Sequence, residues 1–356
     1  MPLRTVRLMN HLGTRCRHTV ISLDGIIAAA DQIRADVLVE ILPMVIDKRQ
    51  PIRNLVNARR FLADVKPDLL ATYNWGAIEW AAVNRLHPVC RHIHFEAGFG
   101  REEAIRQFRR RIIGRRVALA KSDFVMVPSR SLQRIALEIW RLPAHRVRYI
   151  PDGIDVARFT ATRQFVSDAR EGREHVVLGT VAPLRPEKNI GRLIKLFSLL
   201  ADDPRFELVI AGDGPERMRL QGVAAQVSNR IRFLGHVPRP EEVLPTFDIF
   251  CLTSDTEQIP NSVLEAMSAA LPIVSVDVGD IGLMVAPSNQ PYVVERDRIE
   301  KFASALRELA DDPDLRYRIG SENRIQVEAH FEQERMFQEY EQLLLGNVAK
   351  RPRTPG

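Results

Sequence analysis

The sequence predicts an α/β protein made of two doubly wound domains, and three observations carry that expectation. Its 356 residues exceed one ordinary domain, which typically holds ~100–150 residues. Short apolar runs alternate with longer helical patterns, the way strands and crossover helices of parallel sheets read. The charge balance also changes along the chain. Residues 1–160 carry 27 basic and 15 acidic side chains, and the remaining 196 residues carry 24 and 30.

In the first half the predicted strands are 18–23, 36–42, 68–74, 91–97, 124–129 and 147–153, with helices over 2–12, 51–64, 76–86, 101–121 and 129–140. The pattern restarts at HVVLGTVA (175–182) and continues with strands at 206–212, 231–235, 248–254, 272–278 and 291–294. Residues 156–174 are polar, lack periodicity and separate the two charge regimes, so they read as a linker. The expected organisation is a domain over 1–155, the linker, a second domain over 175–330 and a last helix over 331–349. Ligands of such sheets bind beyond the carboxyl ends of the strands, so two facing domains would hold a ligand in the cleft between them. A doubly wound domain normally opens with a strand and a glycine turn. This chain opens on a helical pattern (Leu3, Val6, Leu8, Met9, Leu12), so the first strand of the N-terminal domain is expected to be missing.

Composition narrows the function classes. Hydrophobic residues make up 45% and charged residues 27%, the balance of a globular chain with ample core. Cys16, Cys90 and Cys251 are too few and too far apart for a disulfide framework or a Cys-rich zinc module. No apolar run approaches the ~18–20 residues of a membrane span, and the start, MPLRTVRLMNHLGTRC, lacks the apolar core of a signal peptide. A cytoplasmic location is expected. Seven arginines lie between Arg101 and Arg116, a density that suits a polyanion. No aromatic-rich surface or recognition motif accompanies them, so nucleic acid is not expected as a partner. An anionic membrane surface fits better, with Ile112 and Ile113 dipping beneath the arginines.

The segment SDTEQIPNSVLEAMSAALPIVSVDVGD (254–280) carries the most chemistry. A strand ends at Ser254, a loop bears Glu257, and Pro260-Asn261 open a helix that carries Ser262 and Glu265. Proline suits a first helical turn, where its missing N–H would be unpaired anyway. Free N–H groups and the positive dipole end there favour a phosphate or a sugar hydroxyl. A carboxylate on either side of that helix end can accept two hydroxyl hydrogen bonds, as from a sugar or ribose diol.

The Glu-x7-Glu spacing, followed by Ala-Met and a small-residue stretch before Pro272, resembles the retaining, nucleotide-sugar-dependent glycosyltransferases of the GT-B fold, family 4. That resemblance implies two Rossmann-like domains facing a cleft, with Glu257 contacting the transferred sugar and Glu265 the ribose. GTVAPLRPEKNIGRLIKLF (179–197) is similar to the family segment whose basic pair holds the donor diphosphate. Lys188 matches its lysine, and Arg185 would replace an arginine whose usual place is held by Pro183. FELVIAGDGPERMRL (206–220) and IRFLGHVPRPEEV (231–243) resemble the next two family segments, giving Gly212, Gly235 and Val237 donor-binding roles. VRYIPDGIDVARF (147–159) resembles the hinge, and FEQERMFQEYEQLL (331–344) the helix that returns to the first domain. The family departures are Gln258 and Ala270 in place of glycines, and Ala97 where a histidine precedes Gly98.

In RHIHFEAGFGREEA the nearest candidates for a catalytic histidine and an acceptor-binding carboxylate are His94 and Glu96, with Asn74-Trp75-Gly76 lining the same end of the sheet. The resemblance implies no metal and no cofactor beyond the nucleotide-sugar donor. The acceptor would be a saccharide or lipid-linked hydroxyl, as in lipopolysaccharide or exopolysaccharide assembly. The literal Asp312-Pro-Asp314 reads as a helix junction rather than a metal site. Two other readings stand beside this one: a protein that keeps the fold as a binding or partner subunit, and a glycoside hydrolase with two opposed carboxyls ~5–10 Å apart.

Overall fold

The computed structural model describes residues 3–23, 25, 27, 29–44, 49–99, 103, 107–159 and 175–346. The chain divides into two compact units, one of Met1–Gly98, Arg106–Ile150 and Arg335–Gly356, the other of Phe99–Ile105 and Pro151–Glu334. Most of the predicted linker, residues 160–174, lies outside the described residues, while Val156–Phe159 forms a short 3-10 turn.

The first unit begins with helix α1 (Leu3–Leu12), followed by strands β1 (Arg17–Ser22) and β2 (Leu38–Pro43), which pair in parallel as a two-stranded sheet. Helix α2 (Pro51–Val65) leads to β3 (Leu69–Tyr73), α3 (Ile78–Leu86), β4 (Arg91–Phe95), α4 (Arg109–Leu119), β5 (Phe124–Val127), α5 (Arg130–Arg134) and β6 (Val147–Tyr149). The strands β3-β4-β5-β6 form a parallel sheet in chain order. Of the helix expected over 101–121, residues 101, 102 and 104–106 lie outside the described residues; α4 begins at Arg109, after Phe108, which is extended (φ −71°, ψ 129°). The last turn of the helix predicted over 129–140 widens into a π-turn at Ile135–Ile139.

One face of the four-stranded sheet is covered by the two ends of the sequence. Leu8 and Leu12 of α1 pack with Ile93, Phe95 and Met126. Helix α13 (Gln333–Leu345) adds Met336, Phe337 and Tyr340 to the same cluster. His11 Nε2 lies 3.0 Å from Glu341 Oε2, and Arg91 of β4 donates to the Leu343 and Leu344 carbonyls that end α13. These last carbonyls have no partner within the helix. His92 sits inside the sheet at 5% exposure, and burial pushes its pKa down to about 3, with His94 adding to the shift.

The second unit holds six parallel strands: β7 (Val176–Val181), β8 (Phe206–Ala211), β9 (Ile231–Gly235), β10 (Ile249–Leu252), β11 (Ile273–Val276) and β12 (Val293–Val294). Their order is β12-β11-β10-β7-β8-β9. The helices are α6 (Ile190–Ser198), α7 (Arg217–Val227), α8 (Pro240–Val243), α9 (Asn261–Ser268), α10 (Ile281–Met284), α11 (Ile299–Asp311) and α12 (Pro313–His330). Every residue of β10 and β11 is buried, as expected of central strands covered on both faces, which read as unbroken apolar runs. Gly179 of β7 leaves space for a ring: a Cβ there would fall 2.0 Å from Phe247. Asp312 accepts from the Leu315 N–H at 2.8 Å and so caps α12.

Asn323 of α12, fully buried, fastens that helix to the start of β11. It accepts from the Ala286 N–H at 3.0 Å and donates to the Leu271 carbonyl at 3.0 Å and to Asn289 Oδ1 at 2.7 Å. Asn289 in turn bonds both backbone groups of Ile273, each at 2.8 Å.

Two predictions follow from this packing. Asn323→Ala strands several buried polar groups at about 1–3 kcal/mol each, so chemical denaturation should show a loss of about 3 kcal/mol. Folded His92 titrates near 3 and the unfolded side chain near 6.5, so the unfolded chain takes up the proton first as pH falls. The stabilisation is complete above pH 6.5 and lost progressively toward pH 3. Between pH 7 and 4.5 the wild type should lose about 2–3 kcal/mol more than His92→Asn in urea titrations.

Candidate active site

Strand order alone marks one place in the second unit. From β7 the chain runs outward through β8 and β9, then returns to β10 on the other side of β7 and runs outward through β11 and β12. The reversal lies between β7 and β10, and ligands of open parallel sheets bind at such a switch point, beyond the carboxyl ends of the strands. The loops leaving those two strands carry Lys188 and Glu257. Lys188 Nζ lies 2.6 Å from Glu257 Oε1, with 22% and 10% of the two side chains exposed.

A dense polar lacing holds the two loops in register. Asn189, in the left-handed region at φ 45°, caps α6 by accepting from the Arg192 N–H. Its Nδ2 donates to both carboxylate oxygens of Asp255, at 3.1 and 3.2 Å. Arg192 donates to the Thr253 carbonyl at 2.8 Å and to Asp255 Oδ1 at 2.7 Å. The Asp255 N–H donates to the Glu187 carbonyl at 2.8 Å, and Thr253 Oγ1 to the Asn189 carbonyl at 3.1 Å. Sequence reading missed Asn189, Arg192 and Asp255. The available signal was an asparagine directly before an apolar helical pattern, which marks an N-cap.

The remaining donor candidates fall around this pair. Pro260 is buried and is the N-cap of α9 rather than its first helical residue: its ψ of 116° is extended. Asn261 opens the helix exposed, with Ser262 and Glu265 half-buried behind it. Gly212 and Gly235 are brought together, the Gly212 N–H donating to the Gly235 carbonyl at 2.7 Å. Both have positive φ, and a Cβ on Gly212 would fall 1.8 Å from the Ala182 carbonyl oxygen. Gly212 therefore lets the β8 loop press against the β7 loop, a packing reason for it beside any ligand contact, while a Cβ on Gly235 would meet the Arg217 guanidinium at 3.1 Å. Val237 is half-buried two residues on, and Arg185 is exposed on the Lys188 loop. Gly279 (φ 61°) supports the Glu257 loop from behind, since a Cβ there would meet the Glu257 and Gln258 carbonyl oxygens at 2.7 Å.

In the first unit His94 and Glu96 are both buried, at 0% and 1% exposure. Glu96 Oε2 accepts from Arg115 Nε at 2.9 Å. The Arg115 guanidinium stands 5.1 Å from the Trp75 ring centre and 4.9 Å from that of Trp140. Asn74 Oδ1 accepts from the Ala97 N–H at 2.7 Å, tying the β3 and β4 ends together. His94 Nδ1 lies 2.8 Å from Thr72 Oγ1. Among the described residues, its Nε2 and Glu96 Oε1 are buried atoms without a hydrogen-bond partner.

The arginine run is split in role. Arg101, Glu102 and Arg106 lie outside the described residues. Arg115 points inward, and Arg116 donates to the Ile139 and Trp140 carbonyls. Arg109 and Arg110 are exposed, as are Ile113 and Val117 at 59% and 52%, while Ile112 is half-buried. The basic face is therefore smaller than the sequence suggests. Among the described residues no helix is long and apolar enough to cross a membrane.

Known proteins agree with this architecture. The family described as Glycosyltransferase Family 4 matches residues 3–158, and that described as Glycosyl transferases group 1 matches residues 163–326. The chain is 30% identical over 203 residues to a GDP-mannose-dependent monoacylated alpha-(1-6)-phosphatidylinositol monomannoside mannosyltransferase of Corynebacterium glutamicum, covering 53% of each. It is 27% identical over 197 residues to the lipopolysaccharide core biosynthesis glycosyltransferase LpsE of Rhizobium meliloti, covering 53% of this chain and 56% of that protein. The chain spans about half the length of these relatives. Its fold matches Anabaena Alr3699/HepE in complex with UDP at a TM-score of 0.81 and 16% identity, over 97% of this chain and 96% of that one. With both halves matched in order and two α/β units built on parallel sheets, the chain belongs to the group 1 (family 4) glycosyltransferases of the GT-B fold.

Proposed function

We propose that the protein transfers a sugar from a UDP- or GDP-sugar to a hydroxyl acceptor with retention of configuration and without a metal. The observation that carries this reading is the Lys188–Glu257 pair at the switch point, beside the N-terminus of α9. A lysine there supplies a point charge for the departing diphosphate, and the helix end supplies N–H donors and a positive dipole. Glu257 orients the transferred sugar, and Glu265 takes the ribose diol. Pro260, Asn261, Ser262, Gly212, Gly235, Val237 and Arg185 complete the donor surface. The reading is supported by a fold neighbour whose structures hold UDP and UDP-glucose and by a relative described as GDP-mannose-dependent. His94 and Glu96 are assigned to the acceptor side.

The donor assignment is checked by thermal shift on a panel of UDP-, GDP- and ADP-sugars with EDTA present. At about 100 times Kd a bound donor adds about 2.7 kcal/mol. One nucleotide class should stabilise the wild type, and Glu265→Ala should abolish that shift. Glu257→Ala should eliminate transfer; a variant that still transferred sugar would overturn the assignment.

The acceptor is proposed to be lipid-linked or a growing saccharide, reached from the cytoplasmic face of an anionic membrane. Exposed Arg109, Arg110, Ile113 and Val117 on one helix support this, pairing charge attraction with shallow apolar insertion. Flotation with phosphatidylglycerol vesicles should recover the wild type, and Arg109→Glu/Arg110→Glu should stay at the bottom of the gradient. Equal recovery with neutral vesicles would remove the membrane role.

A further inference from the structure

Four buried side chains of the first unit form one continuous hydrogen-bonded column. Ser122 Oγ lies 2.9 Å from His92 Nδ1, His92 Nε2 lies 2.8 Å from Thr72 Oγ1, and Thr72 Oγ1 lies 2.8 Å from His94 Nδ1. Their exposures run from 0% to 5%, so no solvent competes for these bonds. Thr72 of β3 stands directly beside His94 of β4 in the strand pairing, and Ser122 sits in the turn before β5.

The column can point only one way at a time. A threonine hydroxyl carries one proton, so Thr72 donates to one imidazole and accepts from the other. The open end of the column sets the direction. His94 Nε2 lies 3.8 Å from Glu96 Oε2, whose carboxylate is held by Arg115. A lone pair on Nε2 would face that oxygen repulsively, whereas an N–H is drawn to it. With the proton on Nε2, His94 Nδ1 must accept from Thr72. Thr72 then accepts from His92 Nε2–H, and His92 Nδ1 accepts from Ser122.

We infer that Ser122, His92 and Thr72 are positioning residues, a one-way relay that fixes His94 as its Nε2–H tautomer facing Glu96. The relay leaves one N–H donor and one carboxylate oxygen, His94 Nε2 and Glu96 Oε1, buried without partners among the described residues. Such a pair suits a single hydroxyl, which accepts from the first and donates to the second. That this hydroxyl belongs to the sugar acceptor rests on the transferase reading above; the direction of the relay does not.

Long-range ¹H–¹⁵N NMR of ¹⁵N-histidine-labelled protein reads the tautomers without turnover. Both His92 and His94 should show a protonated Nε2 and an unprotonated Nδ1. A protonated Nδ1 on either ring overturns the relay. In the transferase assay Thr72→Val should lower kcat at least about tenfold, as small misplacements near a reacting centre do. Its donor-induced thermal shift should be unchanged, and Thr72→Ser should restore kcat. A Thr72→Val enzyme with wild-type kcat and acceptor KM would exclude the positioning role. If the wild type shows neither donor shift nor transfer, the transferase reading fails while the tautomers still decide the relay.

Discussion

The second unit depends on the alignment of two loops, and that alignment rests on Asp255. Its carboxylate receives Asn189 and Arg192, its N–H reaches the Glu187 carbonyl, and its own carbonyl accepts from Arg296. Through these bonds the β7 and β10 loops become one rigid piece, and Lys188 and Glu257 meet as a consequence. The ion pair itself is partly exposed, where such pairs contribute little stability. The lacing does the holding, which leaves the ammonium and carboxylate available for chemistry.

The first unit solves a different problem. It buries a charged pair, Glu96–Arg115, which is costly unless further contacts compensate. Two indole faces flank the guanidinium, and cation–π attraction strengthens where water is excluded. Gly114 permits the approach, because a Cβ at that position would come within 2.8 Å of the Trp75 ring. What reads in sequence as an arginine cluster is thus partly an interior scaffold for one carboxylate.

Much of the fold was legible because parallel strands covered on both faces give unbroken apolar runs, as IFCL and IVSV do in β10 and β11. The break at Phe108 was less so, since nothing in the sequence around it marks the extended backbone that precedes Arg109. Among the candidate site residues, Glu257 could be found from the Glu-x7-Glu spacing and Lys188 from the family resemblance of its segment. Asp255 and Arg192 could not, because their importance arises from pairing between loops about sixty residues apart. His94 was legible as a candidate, but its column was not: Thr72 and Ser122 are ordinary residues in sequence, and only strand register brings them to the rings.

The indoles around Arg115 have an optical consequence. All three tryptophans, Trp75, Trp80 and Trp140, belong to the first unit, so the second has no indole chromophore. Emission excited near 295 nm therefore observes one unit alone, while the far-ultraviolet circular dichroism of the helices sums both. Two of the three emitters lie against a guanidinium, so their spectrum senses the Glu96 environment as well as the unit's overall integrity. Superposing the two signals during denaturation would reveal whether the halves melt together or in sequence.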